Sequence, residues 1–163
     1  MGYILLEGGA EFGGQMATPD LRAMELAGGP QARLRVIPAA AAPDDNHQRA
    51  GRNAERWFRK HGATDAAVLP LIDRQSAANL TLVNTRRESQ MIYMLGGFPQ
   101  YLAQSLAGTA AWQAISRARQ AGAVIGGSSA GAMVLCEYYY NPEHDRVLQG
   151  LGLVKGVCVL PHH

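Results

Sequence analysis

Residues 123–136 read AVIGGSSAGAMVLC, in which an apolar run passes through a glycine- and serine-rich turn into a second apolar run. The pattern predicts a buried strand over 123–125, a tight turn, and a helix that includes 133–136. A strand that turns directly into a helix is typical of α/β proteins, which bind ligands at the carboxyl ends of their strands. The stretch therefore predicts the fold class and the edge of the sheet where a site would lie.

The turn also carries a chemical motif. Gly127 to Gly131 match G-x-S-x-G with Ser129 at the centre, whereas the flanking glycines are out of register for Ser128. A nucleophile on a sharp strand-to-helix turn needs small neighbours, because the backbone there is strained. The motif favours a nucleophilic Ser129 over the alternative, an ordinary glycine-rich turn.

Outward from this stretch, short apolar runs alternate with amphipathic ones. This alternation predicts βα units and a three-layer α/β fold, with a mostly parallel sheet and helices on both faces. Further strands are predicted over 3–6, 34–37, 66–72, 91–95 and 157–160. Further helices are predicted over 44–61, 76–83, 98–106 and 109–121.

A second glycine pair, Gly96-Gly97, ends the predicted strand over 91–95. A nucleophile elbow needs another backbone N–H for the oxyanion, and a glycine pair can bring one close to the substrate. The alternative is a plain turn at the end of a strand. The presence of the elbow favours the functional interpretation.

A serine hydroxyl needs a base, and the candidates are the five histidines. Two lie in or beside a polar helical stretch and one lies in a polar loop. The last two follow the final predicted strand, so local reasoning prefers them without separating one from the other. In chain order the five are His47, His61, His144, His162 and His163.

The composition excludes several classes of protein. The chain has 163 residues, 47% hydrophobic and 17% charged, which predicts one domain with a packed core. A formal net charge of +2 gives no case for nucleic-acid binding, and four arginines at helical spacing indicate a solvated face. The chain shows neither a signal peptide nor an apolar run near the roughly 18 residues that span a membrane, so we expect a cytoplasmic protein. The four arginines are Arg49, Arg52, Arg56 and Arg59.

Metal and cofactor sites are not indicated. Cys136 and Cys158 lie outside any CxxC or Cys/His cluster, so we expect both to be reduced and buried. No H-E-x-x-H motif occurs, and we expect neither a metal nor a cofactor. The glycine-rich residues 8–14 fit neither a P-loop nor G-x-G-x-x-G, and they predict a flexible loop over the site.

Three segments, taken together, resemble peptidase family S51, the group of peptidase E and cyanophycinase. They are IYMLGGFPQYL (92–102), GTAAWQAISRARQAGAVIGGSSAGAMVL (108–135) and GLGLVKGVCVLPHH (150–163). The resemblance implies a class I glutamine amidotransferase-like fold with a flavodoxin-like layout. It also implies a serine-type peptidase that hydrolyses short peptides, with Asp-X dipeptides as candidate substrates.

The resemblance also assigns roles position by position. Ser129 matches the nucleophile, and His162, directly after a proline, matches the general base. Gly97 and Ala130 match the residues whose backbone amides form the oxyanion hole. His163 falls where the family usually has an aromatic residue. Gly96 and Phe98 are predicted to contact substrate; Phe98-Pro99 replaces small polar residues of peptidase E, so the pocket is expected to differ.

A further departure concerns the end of the sequence. The resemblance implies an acidic third member of the triad beyond the histidine, whereas we expect residues 1–163 to form one α/β domain that lacks that C-terminal part. Candidate substitutes are Glu7, Glu11, Glu137 and Asp145. We expect a homodimer, since exposed sheet surface favours association. Two alternatives stay open: another serine hydrolase (an esterase or amidase), or a catalytically impaired binding domain.

Overall fold

A five-stranded parallel sheet forms the centre of the molecule, in a computed structural model that describes residues 1–79 and 89–162. The last part of the predicted helix 76–83, and His163, lie outside the described residues. The strand order is β1-β5-β4-β2-β3. The strands are β1 (Ile4–Glu7), β2 (Leu34–Ile37), β3 (Ala66–Val68), β4 (Met91–Met94) and β5 (Val124–Ser128).

Helices cover both faces of this sheet, because side chains alternate between the faces along each strand. In β4, Tyr93 packs in one apolar cluster with Met24 and Phe58, while Ile92 packs in another with Leu102. The predicted three-layer fold is thereby confirmed. The helices are α1 (Ala17–Leu26), α2 (His47–Lys60), α3 (Arg74–Ala78), α4 (Pro99–Leu106), α5 (Ala110–Gln120) and α6 (Ala130–Leu135).

Two of these helices begin at residues suited to the position. Thr109 caps α5 by accepting a hydrogen bond from the backbone N–H of Trp112 at 3.3 Å, as the sequence predicts. Pro99 is the first residue of α4, where its missing N–H is not needed. The predicted strand 66–72 is shorter in the structure and ends at Val68, two residues before Pro70.

A second, three-stranded sheet follows α6 and was not foreseen. It has the order β7-β6-β8 and consists of β6 (Cys136–Asn141), β7 (Arg146–Gln149) and β8 (Val154–Cys158). The prediction of a strand over 157–160 in the parallel sheet is therefore wrong, since β8 pairs with β6. The predicted helix over 133–136 is also displaced, since α6 begins at Ala130 and Cys136 opens β6.

The two cysteines differ in exposure. Cys136 is buried, as predicted, but Cys158 is exposed. The prediction for Cys158 is wrong because β8 is an edge strand of the small sheet and most of its residues face outward. Among the described residues, no helix is long and apolar enough to cross a membrane.

Candidate active site

Ser129 lies at the junction of β5 and α6, in a backbone conformation that side chains rarely adopt (φ 48°, ψ −113°). Its N–H donates to the carbonyl of Glu7 at 2.9 Å. The neighbouring glycines leave no room for a side chain: a Cβ at Gly127 would lie 2.5 Å from the carbonyl carbon of Gly131, and one at Gly131 would lie 2.2 Å from the oxygen of Met94. The G-x-S-x-G pattern thus permits a turn that places the hydroxyl at the carboxyl end of the sheet.

His162 comes to the same place from the far end of the chain. Its Nε2 lies 2.9 Å from Oγ of Ser129, and its backbone N–H donates to the carbonyl of Gly8 at 2.7 Å. The ring lies against Gly9, where an added Cβ would be 2.7 Å from both Cε1 and Nδ1. With its proton on Nδ1, the imidazole can accept the serine proton at Nε2.

The remaining described histidines lie elsewhere. His47 begins α2, His61 follows its last residue, and His144 lies in the turn between β6 and β7. Among the described histidines, only His162 contacts Ser129. The structure thus places His162, one of the two candidates that local reasoning preferred, beside Ser129; the other, His163, lies outside the described residues.

The Gly96-Gly97 turn closes the opposite side of the site. Gly97 has φ 137°, and a Cβ there would lie 2.2 Å from the carbonyl oxygen of Ala40. Among the described residues, no acceptor is bonded to the N–H of Gly97. Ala130 is the first residue of α6, and the first N–H groups of a helix have no acceptor within it. Gly97 lines the cavity beside Ser129. Ala130 is buried and is not among the described residues that line it, so its part in the oxyanion hole stays a prediction.

A cavity of about 300 Å³ contains Ser129, His162 and both glycines of the turn in its lining. Phe98 is half-buried and is not among the described residues that line it; its contact with substrate stays a prediction. The lining also includes the carboxyl groups of Glu11 and Asp44, neither of which the sequence singled out as a binding residue.

Glu11 occupies a specific place in this cavity. Its Oε1 accepts a hydrogen bond from the N–H of Gly96, and burial raises its pKa to about 7 despite that bond. Its neighbours Ala10 and Phe12 have φ values of 56° and 58°. Such conformations cost about 1–3 kcal/mol each and cluster at functional sites. Phe12 holds the loop in place, since its ring lies 6.2 Å from that of Tyr93.

Two further carboxyl groups, those of Glu7 and Asp20, are buried. Glu7 accepts a 2.5 Å hydrogen bond from the hydroxyl of Tyr93, and Asp20 accepts one of 2.8 Å from the indole N–H of Trp57. Burial raises the pKa of both carboxyls, to about 7 for Glu7 and about 6 for Asp20. Burial of two adjacent acids opposes the ionisation of both, so the pair releases its protons at a higher pH than two exposed carboxyl groups would.

None of the four acids considered as a third triad member forms a hydrogen bond with His162 among the described residues. Each is engaged elsewhere. Glu7 contacts Tyr93, Glu11 contacts Gly96, Glu137 contacts Gly156 and Asp145 contacts Tyr140. The described residues also contain no group of three or more His, Cys, Asp or Glu side chains that could hold a metal ion.

Similarity to solved structures agrees with the fold. A crystal structure of a peptidase from an acI-B1 Actinobacterium superposes with a TM-score of 0.89 and 28% identity, covering 99% of this chain and 68% of that one. The structure of a "Putative Peptidase E Protein" from Listeria monocytogenes EGD-e gives 0.66 and 20% identity, covering 94% of this chain and 76% of that one. The second likeness supports the class I glutamine amidotransferase-like fold alone.

No curated protein matches the chain significantly. The sequence does match the family model described as peptidase family S51, over residues 4–163. That range includes all three segments on which the resemblance rested. The chain therefore belongs to peptidase family S51.

Proposed function

We propose that this peptidase is of the serine type, with Ser129 as nucleophile and His162 as general base, and that it hydrolyses short peptides. The observation that carries the proposal is the 2.9 Å contact between Oγ and Nε2. This is the distance that a nucleophile and its base need. The strained conformation of Ser129 adds support, because strained backbone persists only where the surrounding structure holds it in place. Such conformations cluster at active sites.

The geometry suggests the following reaction. Oγ of Ser129 attacks the scissile carbonyl while Nε2 of His162 accepts the hydroxyl proton. The N–H groups of Gly97 and Ala130 stabilise the negative charge on the carbonyl oxygen. The imidazolium then donates its proton to the leaving amine, which leaves an acyl-enzyme ester. The same imidazole then deprotonates a water molecule, which attacks that ester. The imidazolium returns the proton to Oγ as the acyl–oxygen bond breaks, which releases the carboxylic acid product and regenerates Ser129.

Among the described residues, this mechanism uses the side chains of Ser129 and His162 alone, which form a Ser-His dyad. In a serine protease, replacing the acid by its amide lowers the rate by about 10⁴-fold without abolishing catalysis. Here the backbone contact of His162 with Gly8 and the packing of its ring against Gly9 restrain the imidazole. We therefore expect turnover by the dyad, slower than that of a complete triad.

The size of the cavity supports a short substrate. About 300 Å³ is at the lower end of the range for small-molecule sites, so a dipeptide fills it. Asp-X dipeptides are the candidates that the resemblance to peptidase E suggests. The first test is a dipeptide panel with aspartate, alanine and lysine in the first position.

The panel is measured with the unmodified protein and with Ser129→Ala and Ser128→Ala. We expect hydrolysis that disappears in Ser129→Ala and persists in Ser128→Ala, because the Ser128 side chain is fully buried. Hydrolysis of esters without any peptide hydrolysis would instead identify another serine hydrolase. Full peptidase activity in Ser129→Ala would refute the proposal.

Two further proposals come from the sequence: a cytoplasmic location and a homodimer. Exposed Tyr138, Val147 and Val157 on the small sheet support the dimer, since exposed apolar side chains favour association. Sedimentation equilibrium gives the mass directly, and a mass that stays at 17.5 kDa up to high concentration would refute it.

A further inference from the structure

Glu11 has no part in the reaction proposed above, yet it lies beside the nucleophile. A Cβ built on Gly96 would lie 3.0 Å from Oε1 of Glu11 and 3.2 Å from Cβ of Ser129. The two side chains therefore flank the same glycine. Any group held by Glu11 would lie next to the carbonyl that Ser129 attacks.

Glu11 is held in this position by backbone conformations that the residues on either side of it do not favour. The two residues around it, Ala10 and Phe12, both have positive φ, and the Phe12 ring is fixed among Trp57, Phe58 and Tyr93. A flexible surface loop would relax to ordinary conformations. The packing instead forces the loop to direct the carboxyl group of Glu11 into the cavity.

The charge in the cavity limits what Glu11 can bind. Among the described residues that line it, Glu11 and Asp44 are acidic and none is a lysine or an arginine. Burial raises the pKa of Glu11 to about 7, and a positively charged group beside it would favour the ionised form. The carboxylate can accept about four hydrogen bonds, and the N–H of Gly96 takes one of them. The remaining acceptor capacity suits a positively charged donor from the substrate.

The substrate supplies such a donor close to the scissile bond. In a peptide cut after its first residue, the α-ammonium group is two bonds from the attacked carbonyl carbon. A lysine side chain at the same residue is a second source of an ammonium group. Either is a candidate partner for the carboxyl group of Glu11, which flanks Gly96 together with Ser129.

We infer that Glu11 is the specificity-determining residue of this peptidase and that it binds an ammonium group of the substrate residue preceding the scissile bond. The inference rests on the proposed function for the location of that bond. A role limited to positioning the Gly96 turn is the rival explanation. It predicts the same effect on charged and neutral peptides.

Binding can be separated from hydrolysis. Dissociation constants of Ala-Ala, N-acetyl-Ala-Ala and N-acetyl-Lys-Ala are measured by calorimetry on Ser129→Ala protein. The same peptides are then measured on proteins that also carry Glu11→Gln or Glu143→Gln. The glutamine introduced by Glu11→Gln keeps an oxygen that accepts from Gly96, so the fold is preserved, and thermal unfolding checks this. Glu143 is exposed, with no side-chain hydrogen bond among the described residues.

We expect an ammonium-bearing peptide to bind more tightly than N-acetyl-Ala-Ala, and Glu11→Gln to reduce that preference by about 10- to 100-fold. Glu143→Gln should leave the preference unchanged. Tight binding of Ala-Ala alone identifies the α-ammonium group, and tight binding of N-acetyl-Lys-Ala identifies the side chain.

A preference that survives in Glu11→Gln, or one that never exists, would overturn the inference. Failure of the proposed function gives a different result, which is either no hydrolysis of the dipeptide panel by the unmodified protein or hydrolysis of these peptides by the Ser129→Ala protein. The ratio of affinities still decides the role of Glu11 in that case, provided that it is taken from initial binding.

Discussion

Ser129 and His162 are hydrogen-bonded to consecutive carbonyl groups at the end of β1. The N–H of Ser129 donates to Glu7 at 2.9 Å, and that of His162 donates to Gly8 at 2.7 Å. Both residues have positive φ, 48° and 62° respectively. The end of β1 thus positions two side chains that are 33 residues apart in the sequence, with Oγ and Nε2 2.9 Å from each other.

Gly9→Ala tests whether the position of the imidazole matters. The new Cβ would lie 2.7 Å from two atoms of the His162 ring, so the ring must shift, and alanine also strains the backbone because φ of Gly9 is 142°. We expect kcat to fall by about 10- to 100-fold, since misplacing a reacting group by about 1 Å has effects of this size. Steady-state kinetics on the best peptide of the panel measures it.

Gly8→Ala controls for a methyl group added to the same loop, and thermal unfolding of both variants measures the backbone strain that Gly9→Ala alone introduces, since only Gly9 has a positive φ. A Cβ at Gly8 meets nothing within 4 Å, and its carbonyl still accepts from His162. We expect kcat within about twofold of the original. Equal losses in the two variants would contradict the importance of the ring position and indicate a general effect on the loop.

Gly97→Ala tests the tight turn at the end of β4. Its Cβ would lie 2.2 Å from the backbone oxygen of Ala40, and φ is 137°. Neither backbone can yield easily, so we expect a loss of about 3 kcal/mol or more in the free energy of unfolding, together with loss of peptidase activity. Urea denaturation and the dipeptide assay measure the two effects.

The control is Gly122→Ala, where φ is 113° and the added Cβ meets nothing within 4 Å. This variant introduces the backbone strain of a positive φ without a steric clash. We expect that strain to lower the free energy of unfolding by about 1–2 kcal/mol. If both variants lose the same stability, the close approach to Ala40 contributes nothing.

The buried carboxyl of Glu7 predicts how stability depends on pH. Burial raises its pKa to about 7 in the folded protein, whereas an unfolded chain releases the proton near about pH 4. The folded state therefore binds more protons between these values, and stability falls as the pH rises from about 4 to 7. We expect Glu7→Gln to reduce the fall between about pH 5 and pH 8 by about 1–3 kcal/mol.

Urea denaturation at the two pH values measures this difference. The glutamine introduced by Glu7→Gln still offers an oxygen to the hydroxyl of Tyr93, so the hydrogen bond is retained while the titration is removed. Glu143→Gln, which changes an exposed acid, should keep the original dependence. An unchanged fall in Glu7→Gln would show that Glu7 is ionised throughout this range.

The sequence was informative where one local rule decided the structure. β2 occupies 34–37 as predicted, because an apolar run stopped by a proline leaves little choice. The elbow at Ser129 follows from spacing alone, since the glycines at 127 and 131 face backbone atoms that exclude any side chain. These features depend on near neighbours in the chain.

Other features depended on partners far away in the sequence. β8 pairs with β6 rather than with the parallel sheet, and no local pattern distinguishes the two outcomes. Glu11 was considered only as a triad acid, because its burial and its bond to Gly96 depend on a residue 85 positions away. Its place just after β1, at the carboxyl edge of the sheet, was the available signal.

Nucleophilicity of Ser129 is tested most directly by labelling with a fluorophosphonate, which reacts with activated serines, followed by mass spectrometry of the labelled peptide. The original protein, Ser128→Ala and Ser129→Ala are compared at equal concentration. We expect a label on Ser129 in the first two proteins and none in the third. A label that persists in Ser129→Ala, or that never forms on Ser129 in the folded original protein, would contradict it.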